Sequence, residues 1–273
     1  MSDKNILIVI PARYHSTRLP GKPLVKIKGV EMIRRVAQIA AFISKNNDNC
    51  AYCVATDDAR IESFCKEQGI PVVMTSENCK SGTERCYEAA SKTKPAFVVN
   101  LQGDNPLCPP HIIQQLIDAW KSQGGDVFTP CIRLSWDEYD RFVESKKATP
   151  ASGTSVLVDK NGYAMAFSKN VVPMIRKPEK AREKFEKSPV RRHVGLYAYT
   201  FETLENYFNM EKSVYEDDCV EGLEQMRFLY NGARVKAVEV DYGNRKTTSG
   251  VDSPEDVARV EAIIEEYGEL IKE

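Results

Sequence analysis

Short, wholly apolar runs alternate with stretches of helical periodicity through the first half of the chain, and this alternation restricts the fold more than any other feature. Ile6–Ile10 is apolar at every position, as a strand is when both its faces are covered. In Glu31–Ser44, residues Ile33, Val36, Ala37, Ala40 and Ile43 recur at helical spacing. AYCVAT (51–56) reads as a second strand. Asp58–Gln68 reads as a helix with Ile61, Phe64 and Cys65 on one face and Gly69 as its stop. VVMT (72–75) is a third strand, Thr83–Ala90 a helix, and AFVVNLQGD (96–104) a fourth strand. Pro110 then opens a helix with Ile112, Ile113, Leu116 and Ile117 inside. The order predicts an α/β protein, a mostly parallel sheet with helices on both faces.

The second half is less regular. Ser145–Arg192 is polar and basic and holds Pro150, Pro173, Pro178 and Pro189. It contains at least one strand, YAMAFS (163–168). KPEKAREKFEKSPVRRH (177–193) reads either as a solvated arm or as a segment ordered by a substrate or a second subunit. GLYAYT (195–200) is a strand, Glu221–Tyr230 a helix, VKAVEV (235–240) a strand, and Pro254–Tyr267 a helix. No stretch has the composition of an interdomain linker, so the expectation is a single domain over 1–273.

A formal net charge of -1 gives no electrostatic case for nucleic acid or an anionic membrane as partner. No apolar run reaches the ~20 residues of a membrane span, and the polar N-terminus does not read as a signal peptide. Cys50 and Cys53 have the spacing of a redox or zinc knuckle, but they sit in a strand-like run with no second Cys or His pair. Eight thiols of this kind read as structural and suit a reducing compartment, the cytoplasm.

Ligands of parallel α/β sheets bind at the carboxyl ends of the strands. After the first strand comes a loop with Arg13, Arg18 and Lys22, two hydroxyl residues and Gly21, suited to cradling an anion. It is neither GxxxxGK[ST] nor GxGxxG, which removes most support for a nicotinamide-dependent oxidoreductase. After the third strand, Ser81, Gly82 and Thr83 form a turn and cap, with Thr83 placed to cap the next helix. The same small residues could instead let a nucleobase lie against the backbone, with Arg85 behind it. After the fourth strand, Gly103 permits close approach of a ligand, and Asp104 is either a turn residue or a magnesium ligand. In SGVDSPEDVARV, Ser253 is the helix cap with Asp256 three residues on, which leaves the Asp252 carboxylate spare for a metal.

IPARYHSTRLPGKPL, SGTER, VNLQGDNPL, RHVGLYAYT, LEQMR and GVDSPED occur in an order and spacing that resemble the CMP-Kdo synthetases, the 3-deoxy-manno-octulosonate cytidylyltransferases. The resemblance runs from Ile8 to the last helix. It implies a sugar-nucleotidyltransferase (Rossmann-like) fold, a homodimer, CTP and Mg2+, and an acidic 2-keto-3-deoxy sugar bound for lipopolysaccharide or another surface glycan. It implies Arg13 and Lys22 as phosphate binders, and Pro11, Ala12, Ser81, Gly82 and Arg85 around the cytidine. Asp104 and Asp252 match the metal-binding aspartates, which with Arg13 and Lys22 form the catalytic set. Gln102, His193, Tyr197, Glu224, Gln225 and Lys169 match the sugar pocket, and 145–200 becomes a sugar-facing or dimer-forming region.

The departures from the family pattern lie in the sugar half: Asn105 where a Glu is usual, Ser155 where a Lys is usual, Lys169 where an Arg is usual, and EDDCVEG before LEQMR. Arg and Lys are not interchangeable where a carboxylate is held bidentately. An amino-substituted Kdo or a nonulosonic acid therefore stands beside Kdo as the acceptor, and the departures lead to the expectation that a modified ulosonic acid serves better than Kdo. His193 reads as a strand-entry residue bonded to backbone or sugar, with general base as the other role. A non-catalytic nucleotide-binding protein, or a nucleotidyltransferase for another base or a sugar phosphate, are the remaining readings.

Overall fold

The computed structural model describes residues 6–16, 18–243 and 250–271. In chain order the first half contains β1 (Ile6–Ala12), β2 (Lys26–Ile27), β3 (Val30–Glu31), α1 (Met32–Lys45), β4 (Cys50–Thr56), α2 (Ala59–Glu67), β5 (Val72–Met74), α3 (Gly82–Ser91), β6 (Phe97–Asn100) and α4 (Pro110–Gln123). Then follow β7 (Val127–Arg133), α5 (Trp136–Ala148), β8 (Ser155–Val158), β9 (Ala164–Ser168), α6 (Pro178–Lys184), β10 (Arg191–His193) and β11 (Tyr197–Thr200). The last elements are α7 (Phe201–Asn206), α8 (Met226–Tyr230), β12 (Val235–Glu239) and α9 (Pro254–Tyr267).

Two compact units share this chain, and neither is one continuous segment. The first comprises 1–114, 196–205 and 242–273, the second 115–195 and 206–241. Because the backbone passes repeatedly from one to the other, no linker composition marks a boundary.

In the first unit the strand order is β5-β4-β1-β6-β11. β1 pairs in parallel with β4 and β6, β4 with β5, and β11 runs antiparallel to β6. Ile6, Ile8 and Ile10 point to one face of β1 and Leu7 and Val9 to the other, and all five are buried, so both faces are covered. The helical periodicity of the sequence is realised in α1, which buries Ile33, Val36, Ala37, Ala40 and Ile43. A second apolar cluster joins Leu19, Ile27, Met32 and Leu107 to Val251, Val260, Ile263 and Ile264. It ties the segments after β1 and β6 to α9, which is what gathers distant residues at one sheet edge.

In the second unit β10 is antiparallel to both β7 and β8, β8 is antiparallel to β9, and β12 runs parallel to β7. Leu134, Phe142 and Val190 are buried together, with Ile132, Tyr139, Val171 and Ile175 against them. The stretch from Ser145 to Arg192 is more ordered than its composition suggests. α6 buries none of its residues, so it has no periodic signal. It is held through Arg182, which reaches Asp140 at 2.6 Å and lies over the Trp136 ring. The helix expected over Glu221–Tyr230 begins only at Met226. Gly222 is left-handed at φ +60°, and the Glu221 carboxylate accepts from Ser168 Oγ at 2.7 Å and from the Lys169 N–H at 2.6 Å.

All eight cysteines are free. Cys50 and Cys53 lie three apart on β4, so their side chains leave on opposite faces and do not chelate one ion. Burial pushes the thiols of Cys53 to about 11 and of Cys108 and Cys131 to about 12, which leaves them protonated and inert.

Candidate active site

The carboxyl ends of β1 and β6 lie side by side, and the loops that follow touch through backbone. A Cβ on Gly103 would sit 2.6 Å from the Pro11 carbonyl oxygen, closer than any real Cβ contact. Gly103 is therefore required by Pro11, a demand that stands beside its place at the cavity wall. A cavity of about 430 Å³ opens at this edge, lined by Pro11, Ala12, Arg13, Lys22, Ser81, Gly82, Arg85, Gln102, Gly103 and Asp104. Every residue expected around the nucleotide is among them. His15, Ser16, Arg18 and Lys80 also line it. His15, Ser16 and Lys80 carried no motif signal of their own beyond lying in the two loops.

Arg13 is exposed and donates to the Cys79 carbonyl. Arg85 is fully buried. Its guanidinium donates to Asp57 Oδ2 at 2.6 Å and to Thr75 Oγ1 at 2.5 Å, while Nε has no hydrogen-bond partner. Asp57 has one signal in the sequence, an acidic pair directly after β4. The cap of α3 is Ser81, whose Oγ accepts from the Glu84 N–H at 3.2 Å. Thr83, expected as the cap, is buried in the first turn.

Lys22 does not point into solvent. Its Nζ donates to Asp104 Oδ2 at 2.7 Å and to Asp252 Oδ1 at 3.1 Å, and Arg18 reaches Asp252 Oδ2 at 3.2 Å. Burial by itself lowers the Lys22 pKa; the two carboxylates outweigh it and hold the pKa above the ordinary lysine value. The loop is braced locally. Gly21 is left-handed at φ +66°, donates to the Tyr14 carbonyl at 3.2 Å and lies against the Tyr14 ring. Arg60, paired with Asp58 at 2.6 Å, stacks over that ring at 3.3 Å.

Asp104 and Asp252 are brought together by hydrogen bonding before α9. The Val251 N–H donates to the Asp104 carbonyl at 2.8 Å, and Gly250 leaves room beside the Asp104 carboxylate. Ser253 and Asp256 form a capping box on α9, and the Asp252 N–H donates to Asp256 Oδ2 at 2.9 Å. The Asp252 carboxylate is thus free of capping duty, as its sequence context implied. Both carboxylates converge on one cation, the Lys22 ammonium. Such a pair fits a magnesium-type ion, which takes one or two carboxylates and completes its shell with phosphate oxygens and water. Among the described residues no group of three or more His, Cys, Asp or Glu offers a different metal site.

The residues assigned to the sugar are divided. Gln102 and Tyr197 belong to the first unit; His193, Lys169, Glu224 and Gln225 belong to the second. Gln102 donates to Asn100 Oδ1 at 2.9 Å, and Tyr197 stacks on Tyr199. His193 Nε2 lies 2.8 Å from Thr129 Oγ1, with its ring edge-on to Phe167. Desolvation, with Lys169 adding to it, pushes its pKa down to about 3, so the imidazole is neutral. Glu224 accepts from the Tyr207 hydroxyl at 2.7 Å, and Gln225 is buried. Ser155, one of the family departures, is fully buried. Its hydroxyl donates to the Asn170 carbonyl at 2.5 Å and accepts from the Val172 N–H at 3.1 Å, so it shapes a turn.

A cationic loop, a helix start made of small residues and two aspartates on one sheet edge suit the phosphates of a nucleotide. Residues 7–238 match the family model described as cytidylyltransferase. A 3-deoxy-manno-octulosonate cytidylyltransferase of Maricaulis maris is 42% identical over 98% of this chain and 100% of its own length. One of Aliivibrio fischeri is 38% identical over 94% and 98%. A solved CMP:2-keto-3-deoxy-manno-octonic acid synthetase in complex with CTP has a TM-score of 0.82 at 33% identity, over 96% of this chain and 99% of that one. The chain belongs to the cytidylyltransferase family, among the 3-deoxy-manno-octulosonate cytidylyltransferases.

Proposed function

We propose that the chain transfers CMP from CTP to the anomeric hydroxyl of Kdo and releases pyrophosphate. The observation that carries this reading is the single cavity that collects Pro11, Ala12, Arg13, Lys22, Ser81, Gly82 and Arg85 beside Asp104. The sugar hydroxyl oxygen attacks the α-phosphorus and gives up its proton to solvent, the bond to the bridging oxygen breaks, and charge moves onto pyrophosphate. Arg13 and Lys22 offset that charge; preorganised charge of this kind is usually the largest catalytic contribution. Asp104 and Asp252 would hold Mg2+, which when bound neutralises phosphate charge. Gln102, Tyr197, His193, Lys169, Glu224 and Gln225 are the residues proposed for the acidic sugar. His193 enters as a neutral hydrogen-bonding group, because its depressed pKa leaves it a weak base.

Ser155 favours keeping a second acceptor in view. Its hydroxyl is taken up by backbone, so this position offers no cation to a sugar carboxylate. An amino-substituted Kdo or a nonulosonic acid is that alternative. Pyrophosphate release with CTP against the other nucleoside triphosphates, run over a panel of ulosonic acids, tests both readings. Release from CTP with Kdo leading the panel is expected. No release with any acidic sugar would sink the reading, and a tenfold lead for another ulosonic acid would replace Kdo.

A homodimer is part of the proposal, with 145–200 contributing to its surface; Met165 and Met174 are exposed there. Sedimentation velocity reads it directly. We also place the protein in the cytoplasm. Among the described residues no helix is long and apolar enough to cross a membrane, and eight free thiols suit a reducing compartment.

A further inference from the structure

The two carboxylates that suit a divalent ion are already spanned by a side chain of the same cavity. Lys22 Nζ lies within hydrogen-bond distance of both Asp104 and Asp252, and Arg18 takes the remaining Asp252 oxygen. Among the described residues two carboxylates face two cations, so the cluster is balanced and draws a dication weakly. An ion arriving alone must enter beside the ammonium and take away its acceptors. Among the described residues these acceptors hold the lysine at its tip, and its flexible stem leaves the turn that starts at Gly21. Polyphosphate is the ligand that can draw it off, since Lys22 and Arg13 line one cavity and phosphate oxygens offer the ammonium new acceptors.

We propose that Lys22 is an internal counter-cation that keeps divalent metal off Asp104 and Asp252 until the phosphates of a nucleotide take the lysine over. Metal and nucleotide then enter together, and the free protein does not load metal. The inference rests on the two aspartates being the metal ligands.

Mn2+ binding to the full chain, read by electron paramagnetic resonance of the free ion, tests it without turnover. Without nucleotide, Lys22→Met should bind Mn2+ at least tenfold more tightly than the wild type, and adding Asp104→Asn should erase the gain. Equal affinity of wild type and Lys22→Met overturns the proposal. A comparison that does not depend on Lys22→Met folding uses Asp104→Asn alone. In nucleotide-free protein it should change Mn2+ affinity less than about twofold. A tenfold loss would mean that the aspartates take metal with the lysine in place, which also overturns the proposal. With CTP present, Asp104→Asn should weaken Mn2+ retention at least tenfold. If that arm shows no loss, the aspartates are not the ligands, and the metal assignment falls together with the inference built on it.

Discussion

Asp104 and Asp252 each accept from Lys22, and each is partly exposed, with side chains 29% and 41% accessible. Replacing either by Asn keeps the shape and removes one charge at the proposed site of phosphoryl chemistry. Asp104→Asn and Asp252→Asn should each lower kcat by about 3 kcal/mol, the scale of losing one major electrostatic group. The melting temperature should stay within a few degrees, because neither side chain fills a core. Near-wild-type turnover at saturating Mg2+ would remove that residue from the metal site. Lys22→Ala should lower kcat more than it raises the KM for CTP, because negative charge on the departing pyrophosphate grows toward the transition state. A rise in KM with kcat unchanged would confine Lys22 to ground-state binding.

At the scale of elements, the site is a seam where two loops and the start of a helix are pressed together. Gly103→Ala drives a Cβ into the Pro11 carbonyl, so backbone on one side of the contact must shift. The expected cost is about 1–3 kcal/mol of stability, with a larger relative loss of CTP affinity; denaturant unfolding beside a nucleotide titration separates the two. Wild-type affinity with unchanged stability would show that the seam is not tight. This geometry also explains what the sequence could and could not tell. β1 and β6 were legible because both faces are covered, and α9 because Ser253, Pro254 and Asp256 mark its start. α5 buries only Phe142 and α6 buries nothing, so neither carried an apolar period. The residues proposed for the nucleotide share one cavity because they follow strands directly. The contacts of Lys22 were not legible, since its partners lie 82 and 230 residues away. The Asp57–Arg85 pair was hidden for the same reason, and so was the demand that Pro11 makes on Gly103.

For the molecule as a whole, acid sensitivity has one traceable source in His193. Its folded pKa of about 3 lies below the ordinary 6.5, so the unfolded chain binds the proton more readily between those values. The neutral ring's contribution is full above about pH 6.5 and is lost as pH falls toward 3. His193→Gln should therefore lose less melting temperature between pH 7 and pH 5 than the wild type does. Parallel declines in the two proteins would mean that the ring titrates normally in the fold.

The cluster in which Leu19, Ile27 and Met32 pack with Val251, Val260, Ile263 and Ile264 has a consequence for how the protein is born. Its early members leave the ribosome long before their partners are translated. Until the segment carrying α9 clears the exit tunnel, the nascent chain holds an apolar face with nothing to cover it, a surface for holdase chaperones and a risk for aggregation. The same delay applies to chemistry: Asp252 travels with that segment, so a nascent chain cannot complete its pair of carboxylates before the core beneath them closes.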